Sequence, residues 1–415
     1  MTRKKYLAIV VLFSLLLKAV YLLASGAYVL PDMFEDETIA DNLLKNGEFF
    51  YEHRGTRYYA GMAPGFPLTC YVIYRLFGHN WLWVIILQMV LMSLLVLPVF
   101  FIALKVFDER TAYLAAVLAA VQPHIIIYST AKLHPVNAYT LLFALVVLCF
   151  LRLKDSSDLP KALIAGLVAG IAIFFRTTGL VMFLACSAWF LAAGGGRLTQ
   201  RVKAVLTMSA VALIIVSPWL VRNYMVFGKP VLLQSVKGEC LWLGNVPYSN
   251  GSLYTEDGRT LFEKAEADGD LPDGFYQMTE LEQCDSLTAI TMTYFKDDPA
   301  GFISRILKKM YYFWWFSPYQ GLLYSKAWLM MYKAYYLFVL IPAVISITLC
   351  LSGSLKRVDR RAMWLVLIVF IVLTCVHSLY FVEGRHRWAV ESMLLIFTSS
   401  GLIWFVDTLH RQHSQ

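Results

Sequence analysis

Residues 81–104 read WLWVIILQMVLMSLLVLPVFFIAL, an apolar run without a charged side chain. A helix needs roughly 20 such residues to cross a ~30 Å hydrocarbon core, and inside lipid it satisfies its own backbone hydrogen bonds. Of all 415 residues, 59% are apolar and 15% are charged, against about 25% charged in ordinary soluble domains. The sequence therefore predicts an all-α polytopic membrane protein, and it excludes a soluble enzyme and a disordered chain.

Further apolar runs of similar length predict about ten transmembrane helices in all. These runs are 6–30, 111–130, 135–151, 162–175, 179–193, 204–221, 334–354, 362–382 and 388–406. Residues 162–175 and 179–193 are short, so they form either two tight spans or one re-entrant hairpin. Gly166 and Gly170 are four residues apart, a spacing that predicts a close contact with a neighbouring helix.

The basic residues of the loops set the orientation. The net charge of +8 comes mostly from short loops between apolar runs, so it does not indicate nucleic acid as a partner. If the N-terminus is cytoplasmic, the basic clusters near 3–5, 105–110, 152–161, 197–203 and 356–361 all lie inside. Both termini are then cytoplasmic. A cleaved signal peptide is the less favoured alternative, because Lys18 interrupts the first run.

This orientation leaves two long segments outside. We predict an N-terminal transmembrane module at 1–221 that includes the first outer loop at 31–80, a large outer loop at 222–333, and C-terminal transmembrane helices at 334–415. The large outer loop contains Cys240 and Cys284, whose pairing stays open. An aromatic band at 311–319 is typical of a membrane interface.

The first outer loop opens with PDMFEDETIADNLLKNG at residues 31–47. Ile39 and Ala40 recur at helical spacing, and Asp36 lies on their face of the predicted helix, whereas Glu37 lies one step round. Acidic residues also favour the first turn of any helix through capping and the macrodipole. The pair therefore has a catalytic and a purely structural interpretation.

Basic residues accumulate at the outer ends of the spans: Lys132, His134, Arg176, Arg222, Arg385 and Arg387. Arg176 lies in a short turn between two apolar runs, where a charge needs a partner. Arg387 precedes Glu391 by four residues, which allows an intrahelical ion pair. A carboxylate pair and several cations at one interface together suit a phosphate-bearing lipid, because arginine matches phosphate bidentately.

Four motifs, taken in order, resemble the integral-membrane GT-C glycosyltransferases, specifically bacterial family 39-like members related to protein O-mannosyltransferases and to the aminoarabinose transferase of lipid A. They are Asp36-Glu37, the Pro64-Gly-Phe-Pro67 turn, Pro218-Trp-x-x-Arg-Asn-Tyr-x-x-Phe-Gly-Lys-Pro230 and Arg385-His-Arg387. The resemblance covers essentially the whole chain. It differs at Lys132-Leu-His134-Pro, where many relatives have an acidic residue, and at Arg176-Thr177, where the family has Arg-Pro.

The resemblance implies the GT-C fold and a transferase that takes a sugar from a polyprenyl-phosphate carrier at the outer face of a bacterial inner membrane. Asp36 and Glu37 would be catalytic, with Asp36 the base, kept ionised but weakly basic by the helix N-terminus. The donor phosphate would be bound by Arg176, Arg222, Arg385, Arg387, Lys132 and His134. Arg57, Tyr58 and Tyr59 are candidates for binding the acceptor or the sugar.

The expected partners are the polyprenyl-phosphate sugar donor, a lipid, glycan or protein acceptor, and membrane lipids. No metal or other cofactor is expected, because a few cations can stabilise a leaving group with one phosphate. Two other functions remain open. An O-antigen ligase or polymerase would use a pyrophosphate-linked glycan and a larger basic cleft, and a lipid-linked sugar flippase would show half-repeats and ionisable residues near the midplane.

Overall fold

The computed structural model describes residues 2–29, 31–156, 158–255, 257–317, 325–355 and 357–413. Pro318 and Tyr319 of the predicted aromatic band and Lys356 of a basic cluster that was predicted to be cytoplasmic lie outside these ranges. Nearly all of the regular structure is helical. Within the described ranges, seven helical stretches are long and apolar enough to cross a membrane, and a bent pair makes an eighth if it is one span.

The chain begins with α1 (Arg3–Ser25), which ends at Gly26 in the left-handed region (φ 68°). The first outer segment then forms α2 (Glu35–Asn46), a hairpin of β1 (Tyr51–His53) and β2 (Thr56–Tyr58), and α3 (Gly65–Phe77). The hairpin turn places Arg54 and Gly55 at positive φ, as a two-residue type I′ turn requires. Helix α3 starts inside the Pro64-Gly-Phe-Pro67 motif, since a proline in the first turn breaks no intrahelical hydrogen bond.

The next helices form most of the bundle. They are α4 (Trp81–Leu94), α5 (Val96–Val106), α6 (Glu109–Ala120), α7 (Pro123–Ala131), α8 (Val136–Asp155), α9 (Leu159–Phe175), α10 (Thr178–Ala193) and α11 (Leu198–Phe227). Helices α6 and α7 bend by 42° at a break that precedes Pro123, because the residue before a proline is disfavoured in the α conformation. Helices α9 and α10 are the two shorter apolar helices, so the number of crossings stays a prediction.

The remaining elements are four helices of the large outer loop and three long helices after it. They are α12 (Lys237–Asn245), α13 (Leu261–Asp268), α14 (Glu280–Asp297), α15 (Pro299–Trp314), α16 (Lys326–Leu351), α17 (Arg360–Leu379) and α18 (Gly384–His413). Helices α11 and α16 run across residues 221/222 and 333/334. The domain limits predicted there therefore fall inside helices, and the division itself stays a prediction.

Two contacts show how the bundle closes. A Cβ added to Gly166 would lie 2.7 Å from the Met208 carbonyl oxygen, and one added to Gly170 would lie 2.9 Å from Ile215 Cβ. The predicted small-residue contact is confirmed, between α9 and α11. Buried Lys18 donates to Ser14 Oγ at 2.7 Å, and Ser14 Oγ donates to the Ala120 carbonyl at 3.2 Å, which ties α1 to α6.

The outer helices have a small core of their own, built around Trp242, Leu261 and Phe275. Cys240 and Cys284 are free thiols, and Cys284 Sγ accepts a hydrogen bond from Gly238 N at 3.3 Å. Phe313 and Phe316 of the predicted aromatic band are 1% and 4% exposed. The prediction that the band anchors at the membrane surface is therefore wrong for these two rings, which pack inside the protein.

Candidate functional site

Asp36 is the second residue of α2, on the face that buries Ile39 and Ala40. The spacing of three and four residues puts the three side chains on one side of the helix, so the apolar packing carries the carboxylate inward and leaves it 5% exposed. Glu37 lies on another face, where its Oε1 is 3.0 Å from His79 Nε2. The structure therefore separates the two predicted catalytic acids, and Glu37 already has a partner within the outer segment.

Burial, and to a lesser extent Glu35, raises the pKa of Asp36 to about 7, while Arg176 and Arg385 act in the opposite direction. No described residue donates a hydrogen bond to this carboxylate or forms a direct ion pair with it. The prediction of a weakly basic Asp36 is wrong, because loss of solvation outweighs the helix N-terminus and both arginines. A carboxylate with a pKa near the working pH suits a general base.

Arg176 follows the last residue of α9, in the short turn before α10. Its guanidinium carbon lies 5.2 Å from the centre of the Tyr139 ring, and no described residue forms a hydrogen bond or an ion pair with the guanidinium. Helix α3 closes over this turn, since a Cβ on Gly65 would lie 2.5 Å from the ring of Phe175. The half-buried arginine therefore keeps its donors available to a ligand.

Arg385 lies at the start of α18 and forms an ion pair with Glu383. His134 lies just before α8, where Phe34 packs edge-on against its ring at 5.4 Å. Burial, and then Arg385 and Arg176, hold the pKa of His134 well below its ordinary value, so the imidazole is neutral. We call Asp36, Arg176, Arg385 and His134 the rim cluster.

Each member of the rim cluster lies within two residues of a helix N-terminus, namely those of α2, α8, α10 and α18. Helix N-termini carry a partial positive charge and present free N–H groups, so they bind phosphate. Asp36 and His134 are both within electrostatic range of Arg176 and Arg385. The arrangement thus places a carboxylate that could act as a base within electrostatic range of groups that could bind a phosphate.

The loop that contains His134 is held by the first outer segment and by α4. Asp32 pairs with Lys132 through the backbone, and Lys132 Nζ donates to Asp32 Oδ2 at 2.6 Å. Gln88 of α4 donates to the Lys132 carbonyl at 3.0 Å and accepts from His134 N at 3.1 Å. Lys132, predicted to bind phosphate, therefore already has a carboxylate partner.

Arg387 does not belong to the rim cluster. It is 1% exposed, and its Nε donates to Glu391 Oε2 at 3.1 Å. Tyr332 OH donates to the same oxygen at 3.0 Å and accepts from Trp388 Nε1 at 2.7 Å. We call these four residues the core cluster. The prediction that Arg387 binds the donor phosphate is corrected, because its guanidinium is enclosed by protein partners.

Arg222 is also placed differently from the prediction. It donates to the carbonyl oxygens of Tyr59 at 2.7 Å and of Phe49 at 3.1 Å, and it lies 4.6 Å from the Trp219 ring centre. These contacts fasten α11 to the first outer segment. Arg222 is therefore corrected from a phosphate ligand to a residue that positions the loop that bears Asp36.

The three candidates for acceptor binding lie in or beside the hairpin that packs on α14. Tyr58 OH donates to Gln283 Oε1 at 2.5 Å, and Tyr59 N donates to Glu280 Oε1 at 2.8 Å. Arg57 is exposed, with its Nε 3.6 Å from Glu52 Oε2. The Tyr58 hydroxyl is thus already bound within the protein, which corrects that assignment, whereas Arg57 and the Tyr59 side chain stay candidates.

Sequence reasoning missed two residues near the rim cluster. Glu239 of α12 faces Glu35, and burial together with Glu35 raises the pKa of Glu239 to about 7. His386 lies within electrostatic range of Arg176, Arg385 and His134. The position of His386 between two predicted phosphate ligands was a usable signal, whereas Glu239 had none, since it is brought to the site only by the packing of the outer helices.

Comparison with known proteins supports the fold. A family model described as dolichyl-phosphate-mannose-protein mannosyltransferase matches residues 62–221. A comparison with curated protein sequences finds no match.

Among the described residues, no three His, Cys, Asp or Glu side chains gather into a group that could hold a metal ion.

The archaeal oligosaccharyltransferase AglB from Archaeoglobus fulgidus, in complex with an inhibitory peptide and a dolichol-phosphate, superposes with a TM-score of 0.60 at 15% identity, covering 99% of this chain and 52% of that chain. The apo oligosaccharyltransferase from the same organism gives 0.59 at 14% identity, with 99% and 51% covered. ArnT from Cupriavidus metallidurans bound to undecaprenyl phosphate scores lower, 0.45 at 12% identity, with 96% and 78% covered.

The present chain spans about half the length of the oligosaccharyltransferase chains that it matches. The likeness shows a common architecture, and the prediction of a GT-C fold in an all-α multi-pass membrane protein is confirmed.

Proposed function

We propose that the chain is an inverting glycosyltransferase that moves a sugar from a polyprenyl-phosphate donor to a hydroxyl of a lipid, glycan or protein acceptor. The observation that carries the proposal is a buried Asp36 without a hydrogen-bond partner among the described residues, within electrostatic range of Arg176 and Arg385. A base beside cations at converging helix N-termini is what transfer from a phosphate leaving group needs.

The reaction follows from this arrangement. Asp36 takes the proton of the acceptor hydroxyl as its oxygen attacks C1 of the sugar from the side opposite the phosphate. The new C1–O bond forms as the bond from C1 to the phosphate oxygen breaks, so the configuration at C1 inverts. The polyprenyl phosphate leaves with one more negative charge, which Arg176 and Arg385 stabilise.

The membrane setting suits a lipid donor. The apolar face of α2 packs against the bundle, and the rim cluster lies at the helix ends on the side of the two outer segments. An isoprenoid tail in the leaflet would bring its phosphate to these ends. We place this face outside a bacterial inner membrane, with both termini cytoplasmic, because the basic loops lie on the opposite side. The AglB structure contains dolichol-phosphate, a carrier of the same chemical class.

The proposal includes metal-independent transfer. The leaving group has one phosphate, and the half-buried Arg176 keeps its donors available. Two arginines with the helix dipoles supply the positive charge that a divalent ion supplies elsewhere. Transfer should therefore persist in a metal chelator, and its loss on chelation with rescue by a divalent ion would contradict this part of the proposal.

The test is Asp36→Asn in the full chain, reconstituted in lipid with a panel of undecaprenyl-phosphate sugars and of lipid, glycan and protein acceptors, and measured as acceptor-dependent release of undecaprenyl phosphate. Loss of the base should lower the rate by about 10²–10⁴-fold. The matched control is Asp41→Asn on the same helix, whose carboxylate pairs with Lys45 at 2.6 Å and which should keep its rate. Equal rates for the Asp36→Asn variant and the wild type would remove Asp36 as the base.

A further inference from the structure

His386 completes the first turn of α18. Its Nδ1 accepts a hydrogen bond from Glu383 N at 3.2 Å, and its own backbone N donates to the Glu383 carbonyl at 3.0 Å. The ring is 4% exposed and stacks on His377, with the centroids 4.4 Å apart and the planes at 18°. The backbone bond and the stacked neighbour together hold the imidazole in one orientation.

The backbone bond also decides the tautomer. Nδ1 can accept from an N–H only through its lone pair, so the proton of the ring is on Nε2. A protonated ring would have hydrogen on both nitrogens and would lose this bond. His386 is therefore a neutral imidazole with one Nε2–H donor, and no described residue accepts from that donor.

The charged groups around the His386 ring indicate which kind of ligand could accept a hydrogen bond from Nε2–H. Arg176 and Arg385 of the rim cluster lie within electrostatic range of the ring. His134 repeats the arrangement at the start of α8, where its Nδ1 accepts from Val136 N at 3.1 Å, which leaves its Nε2–H free in the same way. Two buried, neutral N–H donors of fixed orientation thus lie within electrostatic range of the same two arginines.

We propose that His386 is a phosphate-binding residue that donates Nε2–H to a phosphate oxygen of the polyprenyl-phosphate carrier. This inference rests on the proposed function. The phosphate is a singly charged diester in the donor and gains a charge when the sugar leaves. A neutral donor strengthens its hydrogen bond as that charge develops, without adding a further cation that would slow release of the product.

The test uses two substitutions, each of which keeps the role of one ring nitrogen and removes or weakens the role of the other. In His386→Asn, the side-chain oxygen can take the place of Nδ1 and keep the bond to Glu383 N, but the distal donor is lost. In His386→Gln, the longer side chain can place an amide N–H near the position of Nε2, but the cap on Glu383 N is weakened. Affinity for undecaprenyl phosphate is measured in lipid nanodiscs, with undecaprenol as the uncharged probe and Arg176→Met as the reference.

We expect wild type to prefer undecaprenyl phosphate over undecaprenol, and Arg176→Met to weaken that preference. His386→Asn should weaken phosphate binding by about ten-fold or more, because a hydrogen bond to a charged group contributes ~1.5–3 kcal/mol. His386→Gln should stay within about three-fold of wild type. Binding of undecaprenol should be unchanged in both variants.

The outcomes separate the two proposals. If wild type prefers the phosphate and Arg176→Met weakens that preference, but His386→Asn binds like wild type, the inference is wrong and the proposed function stands. If His386→Gln loses affinity and thermal stability while His386→Asn keeps both, the ring acts only as a helix cap, and the inference is again wrong. If wild type does not distinguish undecaprenyl phosphate from undecaprenol, the proposed function itself fails.

Discussion

The rim cluster and the core cluster contain arginines only two residues apart on α18, yet the charged side chains of the two clusters differ in their burial and in their direct partners. In the core cluster, Arg387 and Glu391 are 1% and 0% exposed and bond to each other and to Tyr332. In the rim cluster, Asp36 and Arg176 face each other through space without a direct bond. In the core cluster the two opposite charges are paired directly, whereas Asp36 and Arg176 of the rim cluster have no hydrogen-bond partner for their charged groups among the described residues.

Helix geometry explains how neighbouring residues reach such different surroundings. A helix turns by about 100° per residue, so residues two apart point to nearly opposite sides. Residues four apart return to the same face, which brings Glu391 to Arg387 inside the bundle. Arg385 instead forms an ion pair with Glu383 and lies within electrostatic range of Asp36. The position of an arginine on the helix therefore decides the direction of its side chain, and with it whether groups of the protein enclose the guanidinium.

The largest effect should come from breaking the core cluster. Arg387→Met leaves Glu391 buried without its cation, and removal of one partner of a buried pair costs about 3–5 kcal/mol. We expect this loss in the free energy of unfolding, measured by denaturant titration in detergent micelles. Arg385→Met should cost less, because the side chains of its pair with Glu383 are 26% and 12% exposed and contact with solvent weakens an ion pair.

The double variant Arg387→Met/Glu391→Gln sharpens this comparison. Removing both charges should recover much of the stability, since the uncompensated carboxylate is then gone. Equal stability of Arg387→Met and Arg385→Met would show that the two clusters do not differ as described.

A smaller effect concerns the stability of the rim cluster. The pKa of Asp36 rises from its ordinary value of 3.8 to about 7, so the folded state binds the proton more tightly than the unfolded state. The contribution of Asp36 to stability is therefore lost as the pH rises from about 4 to about 7. Asp36→Asn removes this penalty and should stabilise the protein at pH 8 by on the order of 2–4 kcal/mol.

The measurement is the thermal unfolding of wild type and Asp36→Asn at pH 8 and at pH 4, with Asp41→Asn as the control. Asp36→Asn should be more stable than wild type at pH 8, and the two proteins should be equally stable at pH 4. If Asp36→Asn is less stable than wild type at pH 8, the Asp36 carboxylate makes favourable contacts in the folded protein. That result would contradict its lack of a hydrogen-bond partner among the described residues.

The pH dependence of transfer gives a third comparison. Because the pKa of Asp36 is raised to about 7, the base is protonated below that pH, and the rate should fall by about ten-fold per unit on the acid side. Above about pH 8 the rate should level off. A rate that is flat between pH 5 and pH 8 would show that no group with this pKa limits the reaction.

The smallest effect is expected at Arg57, which is half exposed and whose ion pair with Glu52 spans 3.6 Å. Arg57→Ala should change stability by no more than about 0.5 kcal/mol. The KM for the acceptor decides its role, because a contact to the acceptor would raise KM at unchanged kcat. An unchanged KM would remove Arg57 from the acceptor site.

Some residues of the candidate site were predictable as candidates, for particular reasons. Asp36 could be found because Ile39 and Ala40 mark the buried face of α2. Arg176 could be found because a charge between two apolar runs needs a partner. Arg222 and Tyr58 were misassigned, because nothing local shows that the partners of these side chains are carbonyl oxygens and Gln283. The raised pKa of Asp36 could not be predicted either, since the degree of burial depends on every element packed around α2.

The sequence by itself determined the membrane class and the apolar helical segments, because hydropathy acts along the chain and needs no knowledge of distant contacts. Only the tertiary structure decided the partners and the burial of each charged side chain. Arg176 and Arg385 come within electrostatic range of Asp36 only in the folded chain, whereas Arg387 is enclosed by Glu391 and Tyr332. The physical reason is that the solvation and partners of a charge depend on residues far apart in sequence, and these are brought together only when the bundle packs.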